Sequence, residues 1–143
     1  MNDTLLLDIV TPQKKVFSDK VSGVFVPTEK GRIGILPRHT NLFTVLSEGE
    51  VKITRKGKDW YMAIGGGFME VTKTKVSILV SRAVNADEIN ESEIEKAQKE
   101  AKDIIAQKGK IEERSAALAS LRRSRLELKV LKHHKYRQMP TIS

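Results

Sequence analysis

Gly31-Arg32-Ile33-Gly34-Ile35-Leu36-Pro37-Arg38-His39-Thr40-Asn41-Leu42 is the stretch on which the reading of this chain turns. The acid–base pair Glu29-Lys30 precedes it. Its glycines and Pro37 fix a backbone shape, while Arg32, Arg38 and His39 offer polar contacts. A second glycine cluster follows downstream as Gly65-Gly66-Gly67-Phe68-Met69-Glu70-Val71. Around these two motifs the chain reads as short strands. Thr4–Val10 is an apolar run stopped by Thr11-Pro12, and Val21–Val26 is β-rich and stops at Pro27. Val51–Arg55 alternates apolar and polar residues and faces Trp60–Ile64 across Lys56-Gly57-Lys58-Asp59, a hairpin signal. Val76–Val80 follows Lys73-Thr74-Lys75. Short strands with turn signals every eight to twelve residues point to a β-sandwich or barrel.

Beyond Ala83 to Asp87 the period changes. Ile94, Ala97, Ala101, Ile104 and Ile105 recur at three- to four-residue spacing, the mark of an amphipathic helix. Ser92 with Glu95 three residues later fits a capping box. Gly109 interrupts the pattern. A second helix carries Ile111, Leu118, Leu121, Leu128 and Leu131, a narrow coiled-coil-like seam on which Arg125 stands where a leucine is expected. Two narrow-faced helices broken at Gly109 imply an antiparallel hairpin, and a seam poor in bulk implies one that opens. The expected architecture is an N-terminal β-sandwich, residues 1–84, followed by a C-terminal two-helix hairpin, residues 85–143.

Composition narrows the function. The chain has 143 residues, no cysteine, 39% hydrophobic and 31% charged residues. Disulfides, thiol catalysis and cysteine-bound zinc are excluded. No apolar run reaches the roughly 18 to 20 residues a bilayer span needs, and Met1-Asn2-Asp3-Thr4 lacks the basic flank of a signal peptide. The net charge of +8 is uneven. Residues 1–84 carry a net +5, residues 85–113 a net −4, and residues 114–143 a net +7. A tail of that sign seeks an acidic protein surface, phosphates or anionic lipid. Gly65-Gly66-Gly67 lacks the Lys-Ser or Lys-Thr of a phosphate loop and reads as a bulge or tight crossing. His133 and His134 are adjacent, hence splayed on a helix and unsuited to share a metal. His39 has no serine or aspartate placed to make it catalytic. No nucleophile, base and orienter assemble, so no enzyme is read here and no cofactor is expected. A nucleic-acid-binding β-domain with a basic tail is the alternative, resting on charge alone. Trp60 and Tyr61 adjoin in one strand and point to opposite faces, which gives bases no platform.

The two motifs, in this order and spacing, resemble the epsilon subunit of the F-type ATP synthase. The family's GxIGILPxHxPL pattern stands at Gly31 to Leu42, with Asn41 in place of the usual proline, and its GG-hydrophobic-EV pattern at Gly66 to Val71. The resemblance covers nearly the whole chain. It implies a non-catalytic rotor subunit whose sandwich binds the gamma subunit and the polar loops of the c-ring. It assigns that contact to Glu29, Lys30, Gly31, Arg32, Arg38 and His39, in one region. It implies that the helices extend into the alpha/beta catalytic head and inhibit ATP hydrolysis, with Arg122, Arg123, Arg125 and Lys129 meeting an acidic loop there. Some members bind ATP on the folded hairpin through an Ile/Leu-Asp-x-x-Arg-Ala motif. Its counterparts here are Glu93, Lys96 and Ala97, but three of four defining positions differ and Lys96 is a point charge, not a planar fork. No nucleic acid and no membrane insertion are implied. The location implied is peripheral, on the cytoplasmic face of a bacterial membrane or the stromal side of a thylakoid.

Overall fold

The computed structural model describes residues 3–107 and 109–138, with side chains to residue 135. The chain divides into two compact units at Asn85/Ala86. Among the described residues of the first unit, ten strands form two five-stranded sheets. They are β1 (Leu5–Val10), β2 (Lys15–Val21), β3 (Gly23–Thr28), β4 (Gly31–Ile35), β5 (Leu42–Leu46), β6 (Gly49–Arg55), β7 (Lys58–Ile64), β8 (Gly67–Val71), β9 (Lys75–Val80) and β10 (Ala83–Asn85). The first sheet runs β2-β1-β9-β8-β5 and the second β10-β7-β6-β3-β4. Neighbours are antiparallel except β1 and β9, which run parallel with Leu6 beside Lys75.

Alternation decides what each strand buries. Leu7 and Ile9 of β1, Val24 and Val26 of β3, Ile53 of β6, Met62 and Ile64 of β7, Met69 of β8 and Ile78 of β9 form one continuous core. Trp60 packs against it, while Tyr61, opposite Lys52, belongs to the other face. Arg55 ties the sheets at one edge. It pairs with Asp19 of β2 and lies 6.0 Å over Phe17 and 5.3 Å over Trp60.

Three strand expectations change. Val21–Val26 is two strands, parted at Ser22. Leu42–Leu46 and Gly67–Val71 are full strands. β3 continues through Pro27 to Thr28. Proline fits because pairing with β6 ends at Phe25, so Pro27 faces no β6 carbonyl; its own carbonyl accepts from the Ser47 amide at 3.1 Å.

The second unit opens with a single 3-10 turn at Ala86–Glu88, then α1 (Glu91–Ala106) and α2 (Ile111–Gln138). Asn90 caps α1, its Oδ1 accepting from the amides of Ser92 and Glu93. The expected capping box is displaced because asparagine offers a capping carbonyl two residues earlier. Lys135 Nζ lies 2.6 Å from Glu91 Oε2, which sets the far part of α2 beside the start of α1, antiparallel. The seam joins Ala101 and Ile105 of α1 to Ala117 and Leu121 of α2. It keeps Leu121 and Leu131 of the expected seam, both buried, but not Ile111 and Leu118, which are 79% and 51% exposed. Ser124, not Arg125, is buried, and Arg125 points to solvent.

Candidate interaction surfaces

The β3–β4 hairpin turns at Glu29-Lys30. Thr28 Oγ1 donates to the Gly31 carbonyl, and Gly31 has φ 113°, a conformation that requires glycine. Glu29 and Lys30 are exposed at this tip. Arg32 is tied down behind them. Its Nη1 is 3.4 Å from Oε1 of the buried Glu50, and its guanidinium lies 5.9 Å over the Phe25 ring. Lys52 covers the same ring at 4.6 Å. Gly34 makes room for that ring: a Cβ there would stand 2.6 Å from it.

Arg38 and His39 lie elsewhere. They follow the opposite end of β4, so the five-residue strand separates them from the Glu29–Lys30 turn by about 13 Å or more at strand rise. Arg38 adopts a left-handed φ of 65° and its Nη2 is 3.0 Å from Asp3 Oδ2. His39 Nδ1–H donates to the Thr40 carbonyl at 2.8 Å. The expected single region of Glu29, Lys30, Gly31, Arg32, Arg38 and His39 is thus two groups, because a strand and not a loop joins them.

The outer face of the first sheet carries what the sequence reading missed. Phe43 is 65%, Val45 48%, Phe68 51% and Leu79 53% exposed. Register sets Val45, Phe68, Leu79 and Val10 in one row across four strands. The Phe43 and Phe68 rings stack at 5.8 Å with 24° between planes. A groove lined by Val10, Pro12, Phe68 and Leu79 adjoins the row. The available signal was a pair of strands apolar in both alternation registers, which a sheet with one solvated face does not show. In the next row stands Asp8. Ser18 Oγ donates to its Oδ1 at 2.6 Å and Lys75 Nζ lies 3.1 Å from Oδ2. The Ser18 hydrogen bond first, then Lys75, holds the Asp8 carboxyl below its usual range.

The glycine cluster is a close approach of backbones. A Cβ on Gly67 would stand 2.0 Å from the Leu79 carbonyl oxygen, and one on Gly65 2.3 Å from Ser81 Oγ. On α2, Arg122, Arg123, Arg125 and Lys129 are all exposed. Steps of seven, four, three and four residues align Ile111, Leu118, Arg122, Arg125 and Lys129 along one flank, apolar first and basic after. Glu93 and Lys96 are exposed on α1 and Ala97 is half-buried beside them. Among the described residues no group of His, Cys, Asp or Glu is disposed to hold a metal, and no helix is long and apolar enough to cross a membrane.

The family described as ATP synthase, Delta/Epsilon chain, beta-sandwich domain matches residues 4–86. The chain belongs to the ATP synthase epsilon family. The ATP synthase epsilon chain of Herpetosiphon aurantiacus is 41% identical over 132 residues, covering 92% of this chain and 97% of that one. That of Chloroflexus aggregans is 39% identical over 132 residues, covering 92% and 95%. The epsilon-family fold recurs in a chain of the Euglena gracilis mitochondrial ATP synthase, OSCP/F1/c-ring in rotational state 1. There the TM-score is 0.66 at 20% identity, over 95% of this chain and 82% of that one. It recurs in the central stalk/c-ring of the Tetrahymena thermophila mitochondrial ATP synthase, with a TM-score of 0.55 at 18% identity, over 89% and 96%.

Proposed function

We propose that this epsilon-family chain is a non-catalytic rotor part of the synthase that joins the gamma subunit to the c-ring. Its sandwich seats on gamma through the outer face of the first sheet, and the Glu29-Lys30 tip meets the polar loops of the c-ring. Its helices reach the alpha/beta head and inhibit ATP hydrolysis. The observation that carries the reading is the exposed row Val45, Phe68, Leu79 with Phe43 stacked beside it. A contiguous apolar face on a small sandwich marks a surface that is covered in the working assembly. Within the contact set, Arg32 braces the tip through Glu50 and Phe25, and Glu29 and Lys30 touch the ring. Arg38 and His39, at the other end of β4, serve a separate contact. The basic flank of α2 supplies the head contact. Regulatory ATP is not part of this reading, since Lys96 lacks the fork geometry for a phosphate or carboxylate. The subunit acts from the periphery of the membrane, on the side that holds the catalytic head.

A truncation after Asn85, which keeps β10 whole, is expected to unfold cooperatively and to pull down gamma as the full chain does. Phe68→Asp in the full chain is expected to abolish that capture with the fold intact. Normal capture of gamma by Phe68→Asp would remove the apolar face from this role.

A further inference from the structure

The outer face of the first sheet has a polar row beside its apolar one. Register aligns Phe43, Glu70, Ser77 and Asp8 across β5, β8, β9 and β1. The two carboxylates of this row are treated differently. Asp8 is satisfied within the sandwich by Ser18 and Lys75. Glu70 is exposed and its side chain makes no hydrogen bond or ion pair among the described residues. It opens onto a shallow groove of about 390 Å³ lined by Asn41, Leu42, Phe43, Glu70, Val71 and Thr72, in which it is the one charged side chain. Phe43 forms the wall next to it, its ring held by the stack on Phe68.

We propose that this groove receives one cationic side chain, an arginine, from the surface that covers the apolar row. Glu70 is then the residue that reads the partner's charge. This rests on the apolar face being the gamma seat. A guanidinium suits the groove because its plane stacks on an aromatic ring while its N–H groups meet a carboxylate in a fork. A lysine offers only a point charge. Docking the apolar row expels water around Glu70, and the lower dielectric strengthens a pair formed there. It also makes an unpaired Glu70 costly, so a surface without the cation is rejected. The rest of the sandwich sharpens this choice. Residues 1–84 carry a net +5, so a basic partner gains nothing from the long-range field. Its gain is local, at Glu70, which gives register and selectivity more than speed of encounter.

The test measures binding of the full chain to purified gamma of the same synthase by surface plasmon resonance. Wild type, Glu70→Gln, Glu70→Lys and Phe68→Asp are compared, with thermal midpoints as the control for folding. Glu70→Gln is expected to keep the wild-type midpoint and weaken binding about tenfold or more, chiefly through faster dissociation. Glu70→Lys is expected to weaken it further. In the Glu70→Lys background, a scan of gamma arginines to glutamate is expected to restore binding at one position and no other, an outcome a purely structural Glu70 does not produce. If Phe68→Asp abolishes binding but Glu70→Gln weakens it less than tenfold, or if no gamma reversal rescues Glu70→Lys, the proposal is overturned and the apolar seat stands. If Phe68→Asp binds as wild type, the seat itself is wrong and the proposal falls with it.

Discussion

Two residues close the β6–β7 hairpin with positive φ, Lys56 at 52° and Gly57 at 76°. That is the turn whose twist matches the strands, and its usual first residue is asparagine or aspartate. A lysine held there costs about 1–2 kcal/mol of backbone strain. Lys56→Asn is expected to stabilise the sandwich by about 0.5–1 kcal/mol, read as a rise of a few degrees in its thermal midpoint; an unchanged or lower midpoint contradicts the strain. The glycine cluster makes a sharper contrast. Gly67→Ala drives a Cβ into the Leu79 carbonyl and is expected to prevent folding of the sandwich or cost several kcal/mol, about the top of the range for single substitutions. Gly66→Ala meets only the Leu46 carbonyl at 3.4 Å and is expected to be mild. Equal costs at the two positions would contradict a crossing at Gly67. The sequence separated this cluster from a phosphate loop by what was missing after it. Which glycine is indispensable was not legible, because that depends on how near β9 passes.

Among elements, Asp8 holds three strands together, accepting from Ser18 on β2 and meeting Lys75 on β9. Its folded pKa lies below the ordinary value of 3.8. The stabilisation is therefore complete above the unfolded value and is lost as pH falls through the folded one. Asp8→Asn should be less stable than wild type near neutrality, and the two denaturation curves should converge on acidification below that range. Curves that stay parallel to acid pH would show that the carboxylate adds nothing. The helix pair repeats the lesson of hidden partners. Reading leucines alone put Ile111, Leu118 and Arg125 on the seam. The structure keeps Leu121 and Leu131 buried, as expected, but turns α2 so that Ala117 and Ser124 are buried beside them. In α2 the leucines outweighed alanine and serine in the hydrophobic pattern, although small side chains let two helices approach. Leu121 is the largest buried side chain of the cluster it forms with Ala101 and Ala117, so Leu121→Ala should loosen the hairpin by about 2 kcal/mol. Faster amide exchange in α1 is the expected sign, with stronger inhibition of ATP hydrolysis in reconstituted enzyme. The strands, their number short by several, and the change of period near Asn85 were legible because alternation and helical spacing are local. The exposed face of β5, β8 and β9 was not, since an apolar residue on the wet side of a sheet looks like one on the dry side until the register is known.

At the scale of the molecule, charge alternates along the chain, and the last thirty residues carry a net +7. Each exposed ion pair contributes about 0–1 kcal/mol, so no single arginine governs the helices. Together several reach about 2–3 kcal/mol, enough to move a two-state equilibrium by tens-fold. Replacing Arg122, Arg123, Arg125 and Lys129 with alanine should relieve inhibition of ATP hydrolysis and leave assembly intact. The relief should shrink at high salt, where the wild-type contact is already screened. Equal hydrolysis rates for the two reconstituted enzymes at low salt would leave these side chains as a solvated flank.

The parallel pairing of β1 with β9 has a consequence in time. Leu7 and Ile9 are fully buried, yet one flank of their strand is empty until Val76 to Leu79 has been made. At roughly 5–20 residues per second the nascent chain waits seconds for that closure. Pairings so distant along the chain are slow to form. The ribosome therefore releases no shorter sandwich: a chain stopped before β9 leaves β1 with a single neighbour and its core side chains in water. Both helices, by contrast, are synthesised after every strand of the two sheets has been made.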